Sequence, residues 1–162
     1  MPCLIADSGP LIALAKLDLL ELPIRLFGRV AMPAAVFAEC QAQAWLGDAG
    51  AIRAAVAAGF LEVIDDVDWP GAAEAPRLDA GESAVLSLAR HLRAAVLMDE
   101  RLGRDTARKM GLSVVGVCGL LLKANRLGGI GALAPLLERL HGEGYFISPA
   151  LVAQVLAESG EK

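Results

Sequence analysis

Short unbroken apolar runs alternate along this chain with longer stretches in which apolar residues recur at helical spacing. The first run starts at Leu4 and ends in Asp7. It passes through a tight turn at Ser8 and Gly9 into a helix-period segment from Pro10 to Leu17. A run of this length reads as a buried strand, and proline just inside a helix start is favourable because its missing N–H is unneeded there. RVAM at 29–32, FLEVI at 60–64, AAVLM at 94–98 and LSVVGV at 112–117 read as further strands. Helices are expected at 17–27, with Asp18 as cap and Gly28 as stop, and from Pro33 through Val36, Phe37 and Cys40. Others are expected at 49–58 before Gly59, at 79–92, at 100–110 before Gly111, at 118–127 and at 132–141. A short YFI at 145–147 precedes a final amphipathic helix from Pro149 to about Glu158. The segment 65–78, rich in acids, proline and glycine, reads as a surface loop. Strands alternating with helices imply an α/β fold, a three-layer α/β/α sandwich around a central, mainly parallel sheet.

The 162 residues suit a single domain over 1–162, with a C-terminal helical extension at about 149–162. Hydrophobic residues make up 56% and aromatics only 4%, so the core is aliphatic and built from helix formers. A net charge of −4 gives no global attraction to nucleic acid, so a polyanion must be held by a local basic patch or through metal ions. Cys3, Cys40 and Cys118 are odd in number, far apart and set in apolar surroundings, which favours buried free thiols in a reducing compartment over a disulfide framework. Asp7, Lys16, Asp18 and Glu21 interrupt the first apolar runs, so neither a signal peptide nor a membrane span is expected and the protein reads as cytoplasmic.

In a parallel sheet covered by helices, helix amino termini lie at the same edge as strand carboxyl ends, and ligands bind above that edge. Asp7 and Asp99 end apolar runs, Glu82 lies in the first turn of its helix, and Glu39 lies about two turns into the helix after the second strand. Each has an ordinary explanation taken singly. Asp7 and Asp99 have the character of helix caps, Asp79-Ala80-Gly81-Glu82 has capping-box spacing, and Glu39 alone suits a solvated helix face. Their joint placement carries the argument. Carboxylates confined together raise one another's pKa unless a cation sits among them. Mg²⁺ or Mn²⁺ meets that need, because hard ions prefer oxygen ligands and bridge to substrate phosphates. Such ions can activate water and stabilise charge during in-line displacement, which points to phosphodiester hydrolysis.

Arg101, Arg104 and Arg108 recur at helical spacing directly after Asp99, with Lys109 alongside. They suit either a solvated face paired with Asp105 or a surface that neutralises a single-stranded backbone. Ser8 is placed to donate to a carboxylate or a phosphate, or to cap its helix. Other chemistries lack their residues. His91 and His141 have no partner cysteine or second nearby histidine for zinc, RLGGIGAL is a turn rather than a phosphate loop, and no Gly-x-Ser-x-Gly elbow occurs.

The blocks IADSGPLIALAKL, MPAAVFAE ending at Glu39, LDAGESAVLSLA at 78–89, VLMDERLGR at 96–104 and VVGVCGLLLKAN at 114–125 occur in an order and spacing that resemble the PIN-domain family. The similarity covers nearly the whole chain, and within the family it is to the small prokaryotic VapC-like branch. The resemblance implies a metal-dependent ribonuclease, often the toxin of a toxin–antitoxin pair. By the resemblance, Asp7, Glu39, Glu82 and Asp99 match the family's acids and would hold Mg²⁺ or Mn²⁺. The chain departs from the common toxin pattern in having Glu82 in a Gly-Glu-Ser context where many relatives carry an aspartate further along. Glu100 follows Asp99 at once, which leaves open the carboxylate that reaches the metal.

The leading expectation is a Mg²⁺- or Mn²⁺-dependent endoribonuclease acting on single-stranded or structured RNA. Asp7, Glu39, Glu82 and Asp99 are its ligands, and Ser8, Arg101, Arg104 and Arg108 bind substrate. A dehalogenase-like phosphoryl-transfer site is disfavoured because Asp7-Ser8-Gly9 lacks the second aspartate two residues on, and Asp65-Asp66 follows the third strand. The non-enzymatic alternative is a catalytically degenerate PIN fold that binds a protein. Leucine-rich segments at 11–22 and 120–127 suit a homodimer or a groove for an antitoxin, or else simply a large core.

Overall fold

The computed structural model describes residues 3–69 and 78–161. Five strands, β1 (Leu4–Ala6), β2 (Val30–Pro33), β3 (Glu62–Ile64), β4 (Ala95–Leu97) and β5 (Val114–Val115), form one all-parallel sheet in the order β3-β2-β1-β4-β5. The expected α/β architecture is therefore present, with every described strand pair parallel. Leu4, Ile5 and Ala6 are wholly buried, as a central strand covered on both faces requires. From β1 the chain adds β2 and β3 on one side, then crosses over to place β4 on the other. The sheet thus changes winding direction between β1 and β4, and a crevice opens beyond their carboxyl ends.

Register decides what reaches that crevice. Leu4, Ile5 and Ala6 lie opposite Ala95, Val96 and Leu97, and the Asp7 N–H donates to the Leu97 carbonyl at 3.0 Å. Asp7 and Asp99 are thereby carried to adjoining positions at one edge.

The helices are α1 (Ser8–Lys16), α2 (Leu22–Phe27), α3 (Ala34–Gln43), α4 (Leu46–Ala57), α5 (Ala80–Leu92), α6 (Arg101–Lys109), α7 (Val117–Arg126), α8 (Ala134–Gly142) and α9 (Pro149–Glu158). Several boundaries differ from the pattern-based expectation, each for a local reason. Ser8 and Gly9 form the first turn of α1, with Pro10 following inside it, so no separate turn intervenes. Asp18 does not start a helix. It is left-handed, at φ 56°, just beyond α1, while the Leu19 N–H returns to the Leu14 carbonyl at 2.9 Å and the Asp18 N–H to Ala15 at 3.1 Å. That is a Schellman stop, in which a short polar side chain tolerates the left-handed backbone. The strand after Gly111 is only Val114–Val115, because Gly116 is already extended into the cap of α7. Residues 65–69 have no regular structure, as expected, and the Asp66 carboxylate accepts the Ala35 N–H at 3.1 Å at the start of α3. The remainder of that expected loop, 70–77, lies outside the described residues.

One apolar cluster unites the sheet with helices on both faces. Leu11, Leu14, Leu17, Leu20 and Leu22, with Leu120, Leu121 and Leu122, are buried within it. The leucine excess at 11–22 and 120–127 is thus consumed by this chain's own core, and only Leu127 of the second segment is largely exposed. The leucines therefore lend no support to a homodimer. No described helix is long and apolar enough to cross a membrane.

The tail is fastened to α7 and α8. Val155 of α9 is buried against α7, and the Glu161 carboxylate accepts the N–H groups of Leu133 and Ala134 at 2.8 and 3.0 Å. Glu161 thereby satisfies donors left open at the start of α8. Replacing it (Glu161→Ala) is expected to speed amide exchange at Leu133 and Ala134 and leave the amides of β1 unchanged. Equal protection in both proteins would contradict this role.

Candidate functional site

Asp7 leaves β1 and enters α1 at the switch point, and 92% of its surface is removed from solvent. Burial raises its carboxyl to about 7, against a partial offset from the Ser8 N–H, and the charges of Asp79, Glu39 and Asp99 add to the rise. Asp79 caps α5, Glu39 lies on α3 and Asp99 follows β4, so acids from three elements lie near enough to act on Asp7.

Glu39 reaches the site because α3 packs on α5 where Gly81 lies. A β-carbon on Gly81 would collide with Glu39 Oε2 and stand 3.4 Å from Asp79 Oδ1. A larger residue here would push the Glu39 carboxylate aside. The Glu39 carboxyl is raised by burial first and by Asp79 second, with a Ser8 hydroxyl contact offsetting part of the rise.

Asp79 caps α5, its Oδ1 accepting the Glu82 N–H at 2.7 Å. The capping box is only half built, since no return bond from the Glu82 side chain is formed among the described residues. Glu82 is instead buried. Its carboxyl is raised by burial, then by the charge of Asp79 and a hydrogen bond to it, with Asp7 and Glu100 contributing. The capping residue thus belongs to the acidic cluster, a role that its spacing alone had assigned wholly to the helix.

Asp99 is held differently. It is exposed, its Oδ1 accepts the Val117 N–H at 3.0 Å at the start of α7, and its Oδ2 accepts the Tyr145 hydroxyl. Gly116 makes room for it, because a β-carbon there would stand 2.5 Å from Asp99 Oδ1 and 2.7 Å from an Arg104 guanidinium nitrogen. Burial, the charge of Asp99 and this hydrogen bond all raise the Tyr145 phenol, so it remains a donor. Tyr145 lies 46 residues from Asp99 in sequence and no local pattern marks it; Gly116 was likewise unmarked. Glu100 is exposed at the cap of α6 and makes no side-chain cap bond.

Ser8 is buried beside Glu39. Arg101, Arg104 and Arg108 of α6 line a cavity of about 610 Å³ next to Asp99. Arg104 donates to the Met98 carbonyl at 2.9 Å, and Arg108 pairs with Asp105 at 3.4 Å. Cys3, Cys40 and Cys118 are buried free thiols. Cys118, near Asp99, is pushed up to about 11 by burial and then by that carboxylate, so it carries no thiolate at neutral pH.

Among the described residues no Lys, Arg or His side chain forms an ion pair with Asp7, Glu39, Asp79, Glu82 or Asp99. As the side chains stand, no three described His, Cys, Asp or Glu groups converge closely enough to ligate one ion. The donor set is nonetheless all oxygen, and its unbalanced charge fits a hard divalent cation in kind.

A family model described as a PIN domain, DUF3368, matches residues 3–161. Comparison with curated protein sequences gives no match.

The burial of Asp7 has a consequence for stability. Its carboxyl ordinarily titrates near 3.8 and in the fold near 7, so between these values the folded protein binds more protons than the unfolded chain. Stability then falls as pH rises from about 4 to about 7, by up to on the order of 4 kcal/mol. Glu39 and Glu82 shift in the same direction. Urea unfolding in chelator is expected to show wild type less stable at pH 8 than at pH 5, with a smaller loss in Asp7→Asn. A wild-type curve that rises across this window would contradict the assignment.

Proposed function

The chain belongs to the PIN-domain family, and from that premise we propose that it is a metal-dependent endoribonuclease that hydrolyses RNA phosphodiester bonds, the toxin of a toxin–antitoxin pair. The observation that carries the reading is buried Asp7 at the switch point, its carboxyl raised to about 7 among Glu39, Asp79 and Asp99. An acid raised by burial, and further by neighbouring acids, is costly without a counter-charge, and perturbed groups of this kind cluster at functional sites.

Asp7, Glu39, Glu82 and Asp99 would hold Mg²⁺ or Mn²⁺, with Asp79 as an added oxygen donor and Glu100 as the alternative to Asp99. When bound, such an ion supplies an activated water and neutralises charge developing on a phosphate. The chain's own residues do the rest. The Val117 N–H and Tyr145 hydroxyl orient the Asp99 carboxylate, Gly81 and Gly116 admit carboxylates to positions a larger residue would block, and the α6 arginines bind the substrate backbone. Ser8 serves by holding Glu39 more than by touching substrate.

The second reading, a catalytically silent PIN fold that binds a protein, is favoured by two observations. Both oxygens of Asp99 are already engaged, and Trp45 and Leu46 stand 79% and 89% exposed between α3 and α4. An antitoxin partner is compatible with either reading.

The deciding experiment is calorimetric titration of Mn²⁺ into wild type and Asp7→Asn, with cleavage of single-stranded RNA assayed on the same samples. Wild type is expected to bind Mn²⁺ and cut RNA, while the variant loses at least about a hundredfold in both. A folded wild type with no Mn²⁺ binding at millimolar ion would sink the nuclease reading in favour of the protein-binding one.

Gly116→Ala gives an independent check. Its backbone is extended, at φ −99°, so alanine is tolerated by the chain, yet the new methyl must displace Asp99 or Arg104. Thermal unfolding is expected to change little, while Mn²⁺ affinity and cleavage fall about tenfold or more. Unchanged cleavage would remove Asp99 from the site.

A further inference from the structure

The 610 Å³ cavity beside Asp99 has two unlike walls. One is the stripe of Arg101, Arg104 and Arg108 along α6, and the other is Tyr145 and Phe146 from the segment between α8 and α9. We propose that this cavity is a nucleotide subsite for single-stranded RNA, in which a base next to the cut stacks on Phe146 while its phosphates pair with Arg101 and Arg108. The proposal rests on the nuclease reading and adds to it the residue that grips a base.

Phe146 is 80% exposed, slightly more than Trp45 at 79%, and its ring has a free face. A phenylalanine kept out of the core gains nothing from burial in the free protein, and at the rim of a cavity it offers a π-face. Tyr145 beside it is fixed through its hydroxyl to Asp99, which anchors the aromatic wall to the acidic crevice.

The arginines divide in the same sense. Arg104 is pinned by its bond to the Met98 carbonyl and stands beside Asp99. Arg108 has only a loose exposed contact to Asp105 at 3.4 Å, and Arg101 forms no ion pair among the described residues. Two cations are therefore free to move onto a backbone. Binding of single strands combines such cations with aromatic stacking, and pockets of roughly 300–1,000 Å³ are the size that encloses a small ligand, so the cavity holds about one nucleotide. An acidic peptide would satisfy the arginines but would not need the ring.

The test measures fluorescence anisotropy of a labelled single-stranded RNA dodecamer with wild type, Phe146→Ala, Phe146→Trp and Arg108→Ala, in Mg²⁺ and across a salt series. Each is placed on an Asp7→Asn background so that the RNA stays intact. Phe146→Ala is expected to weaken binding about tenfold with an unchanged salt slope, and Phe146→Trp to restore it, as stacking requires. Arg108→Ala is expected to lower the salt slope by about one. The proposal is overturned if RNA does not bind, if Phe146→Ala binds as well as its parent, or if tryptophan fails to restore what alanine loses. Cleavage by the Asp7-containing protein, scored separately, distinguishes failure of this subsite from failure of the nuclease reading. RNA binding that depends on Phe146 without any cleavage would leave the subsite standing and remove the nuclease.

Discussion

Placing the Asp7 carboxylate at the buried end of the central strand is the constraint from which the rest of the site follows. A carboxylate taken out of water is tolerated only when it is neutral, hydrogen-bonded or matched by positive charge. Here Asp7 is nine-tenths buried, and burial first, with the charges of Asp79, Glu39 and Asp99 adding to it, pushes its proton affinity up to about 7. A chain under pressure only to be stable would place an apolar residue at this position, as it does at Leu4, Ile5 and Ala6 just before it. A local choice that opposes the stability of the whole fold is the mark of a site kept for function.

The fold supplies part of the missing positive charge and stops short of neutrality. α1 starts immediately after Asp7, α5 starts at Asp79, and α7 starts at Val117, whose N–H meets Asp99. Each helix start contributes about half a positive charge, roughly one and a half in all, against five carboxylates at Asp7, Glu39, Asp79, Glu82 and Asp99. Protons supply some of the rest near neutral pH. The remaining deficit is of the size that one or two divalent ions would fill, whereas a lysine or arginine would both quench the site and fill its space.

Much of this was legible in the sequence because it depends on local pattern. Apolar runs that end in aspartate marked both Asp7 and Asp99, and the alternation of strand and helix implied the parallel sheet that aligns them. What pattern could not supply was set by tertiary packing. Asp79 matched a capping box and is indeed a cap, but the fold also turns its charge on Asp7, Glu39 and Glu82. Tyr145 meets Asp99 only because the segment after α8 crosses the crevice, a contact between distant parts of the chain. Asp18 departs from its pattern for a different reason: aspartate suits both a helix start and a left-handed stop, and the backbone takes the second. The leucine-rich segments were ambiguous between core and interface, and packing resolved them as core.

The two ends of the crevice differ in kind, and the difference reconciles a chain of net charge −4 with the polyanionic substrate proposed for it. Around Asp7, Glu39, Asp79 and Glu82 the field is acidic, with Asp7 and Glu82 buried, Glu39 half-buried and Asp79 exposed. Beyond Asp99 the balance turns basic, with Arg101, Arg104 and Arg108 against Asp105 in an open cavity, suited to the backbone proposed to enter it. Screening limits attraction between exposed charges to about 8–10 Å at ordinary salt, so a strand in the arginine-lined cavity is governed by those arginines and hardly by the overall charge. Asp99 stands at the boundary, with one oxygen on a helix start and the other on Tyr145. Its two bonds tie the end of β4 to the start of α7 and to the segment after α8, where the acidic part of the crevice meets the arginine-lined cavity.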